Sequence, residues 1–424
     1  MRNLMVMVAA ATLLIGTPAH VLAGGQQEEL TDPMVFAGWS GSEEAAAPVF
    51  EEKIRRWNEA NPDHEVEWLG WPWGDTLDQL LIRSQGGERL DVAQLQLGWA
   101  EVIAPTERLL DLDEIIGRDW LEENIPAASL EAGVINGQQL AVPYTSASIG
   151  MIHNPTLLAD AGVEEAPTTI DEFEAALEAL ADYDSDLVPY AATTADAGSV
   201  AQDINAWFWT FGGRMIDDDG NVVIDSAENR EAVEWLMSLH DRGLIALDMD
   251  RFDARVLFAE GQVGFYDDAI LAQGIAIDNG LPEDEIDDYI MPMMRPTLQS
   301  DDDPQSVLWG HQLVIFDNAR APETAGEFIK HLIGEEIGVY YFEETGLPPV
   351  TEDAINDPAI AEDPWTNQWL DITEFGRSHE LLQFENVSEL QNIVTEGFQA
   401  ALTGQMDAQE MLETTADRLE DAIN

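Results

Sequence analysis

Cysteine is absent from the 424 residues, which excludes disulfides, thiolate metal ligands, a cysteine nucleophile and a lipid-modified N-terminal cysteine. Positive charge is scarce as well. Against 83 Asp and Glu there are 18 Lys and Arg, a formal net charge of −65, and Lys53 and Lys330 are the only lysines. No basic cluster exceeds Arg55-Arg56, so the patch that nucleic acid or anionic lipid needs is missing. After the N-terminal stretch Leu4 to Ile15, no apolar run approaches the roughly 18 residues of a membrane-spanning helix. P-loop, HExxH and GxSxG motifs are also lacking.

The acids are scattered along the chain instead of forming one tail, as on a solvated surface. Self-repulsion on this scale weakens a compact fold unless counter-ions screen it, and a salt-rich habitat follows as the expectation. Hydrophobic residues make up 45%, and 13 Trp and 14 Phe are spaced through the chain, which fits a globular protein of two or three domains. Residues 1–23 read as a signal peptide: Arg2, the apolar stretch, then the small-residue pattern Val21-Leu22-Ala23. A freely soluble periplasmic or secreted product is expected, not lipid-anchored through cysteine.

The apolar spacing predicts a strand at Met34-Val35-Phe36 and a helix carrying Phe50, Ile54 and Trp57 on one face, ended by Asn61-Pro62. Glu65 to Leu69 and Asp91 to Leu97 read as strands around a helix marked by Leu77, Leu80 and Leu81. Such alternation points to an α/β domain with a mainly parallel sheet. Further on, Thr169-Ile170-Asp171-Glu172 has capping-box spacing, and Ile204, Phe208 and Phe211 form a helical stripe stopped by Gly212-Gly213. Asp217 to Asn221 hints at a calcium loop but has Gly at the fourth place, and Met215 to Ile224 reads better as a hairpin around Asp219-Gly220. From about Asp363 the pattern predicts helices only.

Several phrases occur in the order found in the family 1 extracellular solute-binding proteins, the sugar-binding receptors of ABC importers. Asn136 to Tyr144 resembles "GKLYGLPY", Pro167 to Phe173 resembles "PPTTWDEF", and Phe258 to Phe265 is similar to "FxxGKAAM". Trp309 to Ile315 is similar to "GGxxLAI", and Tyr340 to Pro348 to "YYxxxGxLP". The resemblance implies a two-lobed periplasmic binding protein fold, each lobe a mainly parallel sheet flanked by helices, with the ligand cleft between. It places residues 31–144 plus 268–348 in lobe 1 and 145–267 plus 349–424 in lobe 2, with crossings near Tyr144, Asp267 and Pro348. The implied function is capture of a sugar or sugar-like osmolyte by lobe closure and delivery to ABC permease subunits, by a monomer that is not an enzyme and uses no cofactor or metal.

A sugar offers apolar CH faces and a rim of hydroxyls, so its site needs flat aromatic surfaces with convergent carboxylates and amides. Trp39, Trp71, Trp73 and Trp99 each follow an expected strand, where open α/β sheets bind ligands, although any of them can instead be core. Glu43 and Gln96 are the polar candidates of the first lobe. Tyr144, Trp207, Tyr266, Asp267, Trp309 and His311 come from the crossings or from segments expected to face the cleft. Trp207 borders the Ile204 stripe and His311 reads equally as a core histidine. Arg377 could donate a fork to ligand hydroxyls or sit in a surface ion pair. Two rival readings remain: a secreted glycoside hydrolase using paired carboxylates, and a receptor of the same family for a phosphorylated polyol.

Overall fold

The computed structural model describes residues 32–43, 46–195, 197–217, 219–384 and 386–423, so the expected signal peptide lies outside the described residues. Its backbone is a nine-stranded sheet wrapped by helices. In chain order the strands are β1 Met34–Gly38, β2 Val66–Gly70, β3 Val92–Gln96, β4 Val142–His153, β5 Val188–Ala191, β6 Val263–Asp268, β7 Met291–Met293, β8 Ser306–Ile315 and β9 Gly376–Arg377. The path runs β2-β1-β3-β8-β4-β6-β5, with β9 added to β8 and β7 to β4.

The first half follows from the sequence pattern: β1, buried along its whole length, pairs in parallel with both β2 and β3. Such pairing requires a crossover each time, supplied by α1 Ala47–Ala60 and α2 Trp73–Gly86. Helix α1 buries Val49, Phe50, Lys53, Ile54 and Trp57, and ends where Asn61 donates its side-chain amide to the Trp57 carbonyl at 3.0 Å. Helix α2 stops at Gly87, whose φ of 76° only glycine adopts cheaply.

Strand β4 carries the chain from one half to the other. Val142 to Ile149 pairs antiparallel with β8, while Gly150 to His153 pairs with β6 and β7. Strand β8 mirrors this by pairing with β3 through His311 to Ile315 and with β9 at its start. The β4–β8 register slips at Tyr144, because His311 opposes Thr145 and Gln312 opposes Pro143. This bulge at the first crossing turns Tyr144 out of the ladder rhythm. Thr145 donates its hydroxyl to the Pro348 carbonyl at 2.8 Å, tying the first expected crossing to the third.

In the second half, parallel β5 and β6 carry α4 Ile170–Tyr183, α5 Ala197–Thr210 and α6 Ala227–Asp241, and α7 Arg251–Ala259 precedes β6. The capping box forms as its spacing predicts, with Thr169 and Glu172 each satisfying a free amide of the other's turn. Phe173, Leu177, Ile204 and Phe208 share a core with Leu390, Phe398 and Leu412 of the C-terminal helices α11 Val387–Leu402 and α12 Ala408–Ile423; α8 Pro322–Ile333, α9 Glu335–Thr345 and α10 Pro364–Thr373 lie between β8 and those helices.

Strand β7 bonds the Gly150 to His153 end of β4, and Met293 packs in the core that holds Phe173 and Phe208. Thr351 donates to the Ile333 carbonyl at 3.0 Å, and Val350 lies in the same core as Phe328. One sequence expectation needs correction: the C-terminal part is not helices only, because β9 adds a short parallel pairing at Ser306 and Val307. That pairing depends on which distant strand has a free edge, and local periodicity carries no record of it.

Candidate functional site

Beyond the ends of β1 and β3, aromatic side chains meet in one continuous run. Trp39 follows β1 directly, and Trp99 opens the short helix α3 Trp99–Ile103 after β3. Their rings lie edge to face at 5.3 Å. Trp73, at the start of α2, lies 5.9 Å from Trp99 on its other side. Trp39 also rests on the His311 ring at 4.8 Å, and His311 contacts Trp309 at 4.9 Å. The order is therefore Trp73, Trp99, Trp39, His311, Trp309, from a 41% exposed indole at one end to half-buried Trp309 at the other.

Amides hold this run in place. Trp73 donates its indole N–H to Gln96 Oε1 at 2.8 Å. Gln94, two residues earlier on the buried face of β3, places Nε2 3.0 Å from His311 Nδ1 and 2.9 Å from Ser40 Oγ. Its Oε1 accepts from the Ser40 backbone N–H at 3.3 Å. Burial, with a smaller push from the nearby Lys53 charge, lowers the His311 pKa to about 3, so the ring is neutral. Glu43 borders the same strand end with its surface still open; desolvation raises its carboxyl pKa, and Arg255 of the other half pulls in the opposite direction.

The halves touch beside Trp99. Gly98 has φ of 93°, and a Cβ there would come within 2.6 Å of Leu382 Cδ2, on the 3-10 helix Glu380–Gln383. Glycine thus permits both the turn and the approach. Val102 packs among Leu381 and its neighbours on the lobe-2 side. Between these contacts Glu101 has a buried Oε2 with no hydrogen-bond partner, and desolvation raises its pKa.

The other expected residues are elsewhere. Trp71 packs among Leu69 and Leu77 beneath Arg83, whose guanidinium lies 5.1 Å from the ring, outside the run. Trp207 is in the lobe-2 core, 4.7 Å from Trp235 and stacked on Phe173 at 6.1 Å, because its helix turns that face inward. Asp267 is buried, bonded to Arg295 and to the Tyr190 hydroxyl. Tyr266 is buried against Phe258, and Asp268 beside it takes a bidentate pair from Arg255 at 2.7 Å. Tyr144 is buried behind the run, bonded to Lys53. Arg377 is exposed, with its guanidinium 4.6 Å from the Trp209 ring and 3.2 Å from Gln305 Oε1. A surface depression of about 430 Å³, lined by Ile54, Arg55, Glu65 and Trp68 behind α1, also lies apart from the run.

Sequence reasoning missed Gln94, Ser40 and Glu101. Gln94 had a signal, since it lies in the middle of a short strand, buried on both faces from Val92 to Leu95, and a buried amide needs a partner. Glu101 had none, because its isolation comes from a contact with residues almost three hundred positions away.

Rings with neutral amides and a neutral imidazole bind through apolar faces and directed hydrogen bonds, and the run contains no nucleophile with an adjacent base. A family model described as bacterial extracellular solute-binding protein matches residues 40–339. The maltotriose-binding protein of Pyrococcus abyssi is 23% identical over 335 residues, 77% of this chain and 68% of that one. Maltose-bound MalE3 of T. maritima superposes with a TM-score of 0.79 at 22% identity, covering 92% of this chain and 99% of the other. A solute-binding protein of an ABC transporter from Thermotoga lettingae, bound with alpha-D-tagatose, gives a TM-score of 0.81 at 17% identity over 92% and 99% of the two chains. Those likenesses establish the two-lobed α/β fold, and the match over most of its length settles the relationship: this chain belongs to the family of bacterial extracellular solute-binding proteins.

Proposed function

We propose that the protein is the substrate-binding component of an ABC importer, taking up a sugar or sugar-like osmolyte between its lobes and passing it to the membrane permease. The aromatic run from Trp73 to Trp309 carries this reading, because it presents indole faces at strand ends with Gln96 at its edge. The relatives with maltotriose, maltose and tagatose in their names support a carbohydrate over other small molecules. Trp73, Trp99 and Trp309 are the stacking surfaces, with buried Trp39 and His311 packed behind them; Glu43, Gln96 and the added Glu101 supply the polar rim. In the closed shape the 380–383 segment rests against α3, and the permease reads that shape. The protein acts as a monomer in the periplasm or outside the cell after removal of residues 1–23, and among its described residues no helix is long and apolar enough to cross a membrane.

Binding without turnover separates this reading from a glycoside hydrolase. Asp267 and Asp268, the adjacent carboxylates nearest the crossing, are buried against Arg295 and Arg255, which leaves neither placed to protonate a glycosidic oxygen. A phosphorylated ligand is disfavoured because those guanidinium groups already face carboxylates. Titration calorimetry against maltose, maltotriose, tagatose, polyols and compatible solutes tests the proposal. One-to-one binding of a carbohydrate without product supports it; release of cleaved sugar, or no binding to any carbohydrate, overturns it.

A further inference from the structure

Lys53 is one of only two lysines in a chain of 83 acids, yet no carboxylate lies within salt-bridge distance of it among the described residues. Its side chain is fully buried in α1, inside a box of rings. The ammonium is 3.5 Å from the Tyr341 ring centroid, 3.9 Å from Phe50 and 4.8 Å from Tyr144. Its hydrogen bond goes to the Tyr144 hydroxyl. A buried cation normally requires an anion, because desolvation is so costly; ring faces and one hydroxyl are the substitute here.

The box adjoins both the hinge and the proposed cleft. Tyr144 is the bulged residue of β4, immediately before Thr145 with its bond to Pro348. Tyr144 and Tyr341 stack at 5.2 Å with ring planes 13° apart. The Tyr341 hydroxyl is hydrogen-bonded to the Ser40 side chain, which receives Gln94 Nε2, which in turn meets His311 beneath Trp39. We propose that Lys53 is a positioning residue for the cleft: its ammonium holds Tyr144 and Tyr341 face to face at the first crossing and, through Ser40 and Gln94, sets His311 under the tryptophan run.

The inference rests on the sugar-binding reading for its consequence on affinity, and on the ring box with its buried ammonium for its consequence in the free protein. Burial takes the Lys53 pKa well below the usual lysine range. When the proton leaves, the charge on the rings disappears and Tyr144 becomes the donor in the bond between them. The titratable or charged groups around it are Tyr144 on β4, Tyr341 on α9, His331 on α8 with Nε2 3.2 Å from the Lys53 carbonyl, and His311 on β8; Glu43 acts on Tyr341, and Glu52 and Arg56 share α1. Desolvation lowers both histidines and raises both tyrosines, which moves those groups to either side of neutral pH.

Lys53→Met keeps the length of the side chain and removes the charge. Tryptophan fluorescence of the unliganded protein, titrated downward from about pH 10 to the acid limit of folding, should show an inflection in the wild type that the variant lacks. Affinity for maltotriose, or for whichever carbohydrate of the panel the wild type binds, should fall about tenfold in the variant. Identical titrations and identical affinities would overturn the proposal. If the wild type binds no sugar, the functional reading fails while the fluorescence titration still decides the role of Lys53. If Lys53→Met does not fold, Tyr341→Phe decides: it cuts the link to Ser40 and keeps the stack, and unchanged affinity and fluorescence would end the argument.

Discussion

Trp73 donates its indole N–H to Gln96 Oε1 at 2.8 Å, so the first residue of α2 is oriented by the last residue of β3 while its ring stays 41% exposed. An exposed aromatic held by a hydrogen bond is prepared to stack on a partner without paying for its own ordering. Trp73→Ala should weaken carbohydrate binding about tenfold, as loss of a stacking surface does, with little change in melting temperature. Calorimetry with a parallel thermal melt checks it; unchanged affinity would remove Trp73 from the site.

Arg295 and Asp267 form a pair with both side chains out of solvent; the Arg295 Nε and Nη1 have no hydrogen-bond partner among the described residues, and the guanidinium lies 4.4 Å from the Trp207 ring. Removing one member strands the other's charge. Asp267→Ala should cost about 3 to 5 kcal/mol in a denaturant titration, well above what a surface pair is worth. A loss below about 1 kcal/mol would mean that water reaches Arg295.

His311 is neutral when folded, with a pKa near 3 against an unfolded value near 6.5. Between those values the unfolded chain binds the extra proton, so stability rises with pH across this window and is lost on acidification. Wild type should lose on the order of 2 kcal/mol more than His311→Gln between about pH 7 and 4.5 in urea unfolding. Equal losses would mean that the ring is protonated in the folded state.

With a net charge of −65, the folded surface repels itself in dilute buffer. The melting temperature should climb as NaCl rises from about 0.1 to 3 M, steeply at first as the Debye length shrinks. A flat profile would remove the inference of adaptation to salt.

The strand-end tryptophans were legible because each follows a short apolar run and sits beside a glycine or proline, and strand and turn are local properties. The capping box at Thr169 and the inward stripe of α1 were legible for the same reason. Lys53 was visible only as a rare residue. Its partners Tyr144 and Tyr341 are far off in the chain, and the bulge that turns Tyr144 toward it exists only once β4 meets β8. Asp267 misled because a carboxylate near a crossing looks available until Arg295 is found beside it. Trp207 misled because the next residue of a buried stripe can lie on either side of it.

By itself the sequence determined the acidic surface, the absence of thiol chemistry, the α/β alternation and the order of family motifs, all carried by composition or by neighbours within a few turns. The tertiary structure alone decided which tryptophans join into one run, which carboxylates are neutralised by arginine, and where the chain changes lobes. Those outcomes depend on the pairing of β4 and β8 and on burial, and burial is a property of the assembled chain because it takes distant segments to exclude water from a single side chain.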